Sequence, residues 1–222
     1  MAYYPPLMLA QVPFLAGRLV QNLRLDREWL LVELPREPGV RRYRFLLEKY
    51  AAIAANRRSV RFLGRPFVYD NRLAPALLQG YPKEILDLGS HVDLRAARTV
   101  FDVGANVGQF AFTLKRYWPH LEVCSFEPNP SVFPLLERNA RGVPGWRVFP
   151  FGVGPEPARV PFFWVPGKSA QGSVHRANSV RNLQTTAVQQ LSVDLRPVDG
   201  ELMRAWQLPW GGGPAEGGRG GV

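Results

Sequence analysis

The hydrophobic pattern of the chain changes period twice. From Arg41 to Asn56 the apolar residues Phe45, Leu46, Tyr50, Ile53 and Ala54 recur at helical spacing, which predicts an amphipathic helix. Ser59–Asp70 then offers two short β-prone runs on either side of Gly64-Arg65-Pro66, the pattern of a small hairpin. Two short helices are expected around Arg72–Gln79 and Pro82–Leu88. From Thr99 the pattern alternates. Thr99–Val103 is a short apolar strand, Val107–Trp118 a helix with Phe110, Ala111 and Leu114 on one face, and Leu121–Phe126 a second strand. Pro130–Arg141 follows as a helix and Trp146–Phe151 as a third strand, with further strand-like runs at Ala158–Val165 and Val188–Leu195. Strands alternating with helices of about 10–15 residues mean βαβ units, hence an α/β, Rossmann-like parallel sheet with helices on its faces. Three stretches follow: an α-rich accessory region over 1–95, a sheet domain over 96–210, and a Gly-rich tail without periodicity over 211–222.

The junction of the first strand and its helix carries the chemistry. It reads Phe101-Asp-Val-Gly-Ala-Asn-Val-Gly-Gln-Phe110. Gly104 lets the backbone turn sharply and approach a ligand with no Cβ in the way. Gly108 lets the helix sit close against the strand, and the helix amides beyond it can receive a carboxylate. A dinucleotide fingerprint needs a third glycine where Gln109 stands, so NAD is disfavoured. Asp102, directly before the loop, suits a cofactor with a cationic amino group. Glu127 closes the second strand about 20 residues further on, where an acid accepts hydrogen bonds from ribose hydroxyls. Pro128-Asn129-Pro130 cannot extend that strand and is expected to open the next helix. The bland alternative is a tight turn that holds no ligand.

Composition narrows the classes. Apolar residues make up 46% of the chain and aromatics 12%, enough for a packed core. A single cysteine, Cys124, excludes a disulfide framework or a thiolate metal site within the chain and fits a reducing, cytoplasmic compartment. No run of about 18 apolar residues predicts a transmembrane helix. The apolar start, Met1 to Ala16, lacks a basic beginning and is broken by Pro5, Pro6 and Pro13, so it reads as a packing arm rather than a signal peptide. The net charge of +10 admits a nucleic-acid partner, but the basic residues are dispersed, and the densest group (Arg36, Arg41, Arg42, Arg44) is interleaved with Glu33, Glu37 and Glu48. His91, His120 and His175 show no metal-ligand spacing. Among side chains for catalysis, His175 in a polar loop and Asp194 as a general base are candidates, neither assigned. Phe162, Phe163 and Trp164 either line an acceptor pocket or fill a strand.

Phe101–Phe110 together with Ser125-Phe-Glu-Pro-Asn-Pro130 resembles the FkbM family of S-adenosylmethionine (SAM)-dependent methyltransferases. The likeness extends more weakly from about Ser59 to Trp210. It implies methyl transfer, mostly to hydroxyl oxygens of sugars or other small molecules. Asp102, Gly104, Asn106 and Gly108 would hold the methionine end of SAM, Glu127 the ribose, and Gly152-Val153 would lie near the adenine. Ala105, Gln109, Pro128 and Asn129 complete the implied cofactor set. A small-molecule or glycan acceptor is the leading expectation, RNA methylation the second, and no DNA partner is expected. The family's next motif, Lys-x-Asp-Val-Glu-Gly, does not occur. Codons for Gly213–Val222 read one base later can spell Asp-Leu-Leu-Lys-Val-Asp-Val-Glu-Gly, so the expectation is a frame-shifted C-terminus and an incomplete methyltransferase fold. Thr99–Val103 would then be an open apolar edge, and the chain poorly soluble and inactive.

Overall fold

The computed structural model describes residues 41–205 except 56, 63, 71–80, 167–168, 170–171 and 176–187, together with 23–24, 26–27 and 30–31. Helix α1 (Arg41–Ala54) is followed by the hairpin β1 (Ser59–Phe62) and β2 (Arg65–Val68), paired antiparallel from Ser59↔Val68 to Phe62↔Arg65. Gly64 takes the left-handed φ of 85° that closes the turn. The expected helix at 72–79 lies outside the described residues. Helix α2 occupies Tyr81–His91, longer at both ends than its apolar pattern suggested.

β3 (Thr99–Val103), α3 (Gln109–Tyr117), β4 (Glu122–Phe126), α4 (Phe133–Ala140) and β5 (Trp146–Phe149) form the expected alternation. Their strands make a parallel sheet in the order β3-β4-β5, with Asp102 opposite Ser125 and Phe126 opposite Phe149. The protein is thus mixed α/β, with a parallel sheet flanked by helices. The expected third strand, Trp146–Phe151, is in fact two elements. Pro150 has no amide to give a ladder, so β5 stops at Phe149, and β6 (Gly152–Val153) pairs with a different neighbour. Together with β7 (Ala158–Trp164) and β8 (Gln189–Arg196), β6 makes a second sheet in the order β6-β8-β7, β6 parallel and β7 antiparallel to β8. A last helix, α5, spans Gly200–Ala205. The helix expected from Pro130 begins at Phe133, because Pro130–Val132 form the turn that precedes it and Pro134 occupies its first turn.

Alternation on β4 divides the core. Val123 joins Leu114, Leu136 and Trp146 under the helices, while Cys124 and Phe126 face Phe151 and Met203 on the other side. The first cluster continues without a break into Phe45, Ala52, Val60, Phe67 and Ile85, so the hairpin and α1 pack on the same apolar body as the sheet. Each such buried side chain contributes about 1.5–3 kcal/mol. Near the chain's start, Asp26 meets the fully buried Lys49 and the Tyr50 hydroxyl, a paired charge that ties this segment to α1. Among the described residues β3 pairs only with β4, and Phe101 and Val103 on its second face are 40% and 59% exposed.

One polar contact joins the hairpin to the sheet. The amide of Asn139, buried in α4, accepts from the Val68 amide (2.9 Å) and donates to the carbonyls of Val68 (3.0 Å) and Val107 (2.8 Å).

Candidate functional site

Three residues of the loop after β3 adopt left-handed backbone: Gly104 (φ 79°), Asn106 (52°) and Gly108 (85°). The two glycines have opposite surroundings. A Cβ on Gly104 would meet nothing within 4 Å, so the backbone there faces open space a ligand can enter. A Cβ on Gly108 would stand 2.6 Å from the Trp146 ring and 2.7 Å from Leu136 Cδ1. Gly108 therefore lets α3 approach β5 and α4. Gly108→Ala is expected to lower unfolding stability by about 2–5 kcal/mol, combining left-handed strain with overpacking. A urea titration that leaves stability unchanged would show that the indole and Leu136 move aside.

The loop is held from below. The amides of Gly104 and Ala105 both donate to the Phe126 carbonyl at 3.0 Å, and Gly108 N donates to Ala105 O at 2.8 Å. Asn106 N donates to Glu127 Oε2 at 2.8 Å, and Asn129 N donates to Glu127 Oε1 at 2.8 Å. Glu127, 6% exposed, is thus a brace between the two strand-end turns, a role its position at the end of β4 did not announce. Gly108 precedes α3, and no side chain caps that helix, so the amides of its first turn keep their dipole toward the loop.

Asp102 points to the helix side of the sheet. Its carboxylate accepts from Ser125 Oγ (2.9 Å), which accepts in turn from Trp146 Nε1 (2.9 Å). Burial pushes the Asp102 carboxyl up to about 6, the Ser125 hydroxyl opposing part of the rise. Burial also raises Glu127, against two stabilising backbone amides, and the Asp102 charge adds to the rise. Among the described residues no Lys, Arg or His pairs with either acid. Two low-dielectric carboxylates flanking a glycine loop without a counter-charge make a place for a cationic ligand.

Two more implied positions converge here. Asn129 is 1% exposed, and its Nδ2 has no hydrogen-bond partner, a buried donor next to Glu127. Gly152 in β6 is buried, and a Cβ on it would touch Pro128 at 3.5 Å, so the end of the third strand run meets the turn after β4. Asp102, the 104–109 loop, Glu127–Asn129 and Gly152-Val153 all lie at the carboxyl ends of strands, where open α/β sheets bind ligands.

The remaining candidates separate from this place. Asp194 is exposed on β8, opposite Arg159. His175 is exposed, and its amide donates to Ser173 Oγ. His120 lies past the end of α3, its ring bonding the Leu94 carbonyl. Cys124 is fully buried, its thiol pushed up to about 11 by burial, as an inert core residue should be. Among the described residues no His, Cys, Asp or Glu cluster can hold a metal, and no helix is long and apolar enough to cross a membrane. Three residues near the loop escaped the sequence reading: Tyr69, Asp70 and Ser169. Ser169 Oγ donates to Asn106 Oδ1 (2.7 Å) while its amide donates to Asp70 Oδ2 (2.9 Å). A separation of 99 residues leaves no local signal for that pairing.

No family model matches the chain. It is 26% identical over 111 residues to Methyltransferase 1 of Beauveria bassiana (strain ARSEF 2860), covering 47% of this chain and 45% of that protein. It is 45% identical over 49 residues to the 31-O-demethyl-FK506 methyltransferase FkbM of Streptomyces tacrolimicus, 22% of this chain and 19% of that one. The chain has methyltransferases for relatives. Among solved structures it is similar to CalO1, a methyltransferase in calicheamicin biosynthesis in its SAH-bound form, at a TM-score of 0.29 and 18% identity, covering 55% of this chain and 43% of that one. The chain spans less than half the length of the curated relatives it matches.

Proposed function

We propose that this chain binds SAM at the glycine loop and that the whole protein is a SAM-dependent methyltransferase. The observation that carries the reading is the pair Asp102 and Glu127, the first half-buried and the second buried, both raised, and neither paired with a cationic side chain among the described residues. The ammonium of SAM is the charge that Asp102 lacks. We assign each residue a part in holding the cofactor. Asp102 orients the amino group, the first turn of α3 faces the carboxylate, Glu127 accepts from the ribose hydroxyls, and Asn129 Nδ2 supplies a donor on the nucleoside side. SAM, when bound, supplies an electrophilic methyl group, so the protein's task is alignment and exclusion of water more than heavy acid–base chemistry.

The acceptor we assign is a hydroxyl of a sugar or other small molecule. The Streptomyces relative, a 31-O-demethyl-FK506 methyltransferase by name, supports an oxygen acceptor. The net charge of +10 favours RNA as a second reading. Calorimetry tests the first step: SAM is expected to bind at least tenfold more tightly than NAD, and NAD competing equally with SAM would overturn the loop assignment. An RNA affinity that falls steeply and linearly in log–log fashion with salt, and rises when SAM is present, would move the acceptor to the second reading.

A further inference from the structure

A cavity of about 670 Å³ lies between the hairpin, the first turns of α4 and the end of β7. None of the residues assigned above to SAM lines it. Two exposed arginines, Arg58 and Arg138, and one acid, Asp70, are among its lining residues. That carboxylate already accepts the Ser169 amide. Tyr69 is among the lining residues, but it is 1% exposed and its hydroxyl is closed off from the open space. The backbone does not supply the recognition. Ser131 N is taken by Asn129 Oδ1, and the amides of Val132 and Phe133 by the Asn129 carbonyl. Selectivity therefore rests on side chains, with Trp164 and Pro134 giving an apolar surface for a ring.

The cavity adjoins the glycine loop. Asp70 in its wall holds Ser169, and Ser169 holds the Asn106 side chain inside the loop. From the proposed SAM site, two hydrogen bonds lead to this wall. We infer that the cavity is the methyl-acceptor site and that it takes an acceptor bearing an anionic group, phosphate or carboxylate, on an apolar or aromatic body. Arg58 and Arg138 meet the anion, and Trp164 packs on the body. The acceptor role rests on the methyltransferase reading; the binding itself does not.

Phenyl phosphate, benzoate and phenol titrated calorimetrically into the full chain test this, with S-adenosylhomocysteine (SAH) titrated in parallel. Phenyl phosphate or benzoate is expected to bind at least tenfold more tightly than phenol, phenyl phosphate alone marking a phosphate-bearing acceptor and benzoate alone a carboxylate. The double variant Arg58→Gln/Arg138→Gln should lose tenfold or more of the anion's affinity while SAH affinity stays within twofold. Phenol binding as well as both anions, or anion affinity unchanged in the arginine double variant, overturns the site. Anion binding without SAH binding upholds the cavity and sinks the cofactor reading instead.

Discussion

Glu127→Gln is expected to bind SAM about ten- to a hundredfold more weakly than the unaltered chain, the cost of losing a charged acceptor for the ribose. Glu127→Ala is expected to lose about 2–6 kcal/mol of stability as well, because the amides of Asn106 and Asn129 would both be left unpaired. The two substitutions are needed because Glu127 holds its own loop together. An affinity loss in the alanine variant alone would report a slack loop as readily as a missing ribose partner. Glutamine keeps one acceptor oxygen and nearly the same volume, so the turn survives at a smaller cost. Urea titration identifies conditions in which each variant is folded, and calorimetry under those conditions reads the affinity. A folded Glu127→Gln that binds SAM like the unaltered chain would restrict Glu127 to bracing.

Asp102 is expected to make stability and binding respond to pH in opposite directions. Its carboxyl is raised from the ordinary 3.8 to about 6 by burial. The folded chain then holds this proton more tightly than the unfolded one. The resulting stabilisation is complete below about pH 4 and is lost as pH rises to about 6. Above that, the ionised group sits half-buried at a cost on the order of 2–3 kcal/mol. Asp102→Asn keeps an oxygen for Ser125 Oγ and carries no charge. It should therefore gain about that much stability at pH 8 relative to the unaltered chain, and nothing at pH 4. A cationic ligand needs the ionised form. SAM affinity should thus fall as pH drops through about 6, and the asparagine variant should bind at least tenfold more weakly with no pH dependence in that window. Thermal unfolding of both chains at several pH values, with SAM titrations at pH 5 and 8, measures each part. An asparagine variant with the unaltered chain's affinity would remove Asp102 from the cation's site.

The glycine loop was legible because its chemistry is local. Gly104, Asn106 and Gly108 are residue types that tolerate positive φ, and all three adopt it. The hairpin was equally local, since Gly64 had to make its turn. The split between β5 and β6 was signalled by Pro150 but read through as one strand, because the apolar run on either side is continuous. The bracing by Glu127 was hidden, for strand-end acids look alike until the fold decides which amide comes within 2.8 Å. Asn139 was hidden too, although a short polar side chain disfavoured inside a helix was itself a clue to a tertiary bond. The wall of Tyr69, Asp70 and Ser169 left no trace, because it forms only when residues 99 apart meet.

Asn139 also fixes how the parts can come apart. Three backbone groups depend on one side chain, two in the hairpin and one in the glycine loop, and all are shielded from water that might replace them. Peeling the hairpin from the sheet takes two of the three partners from the Asn139 amide, and relaxing the loop takes the third and strands the Val107 carbonyl. The two therefore share one anchor in α4. Whatever steadies the loop is felt, through this amide, in the hairpin that walls the neighbouring cavity.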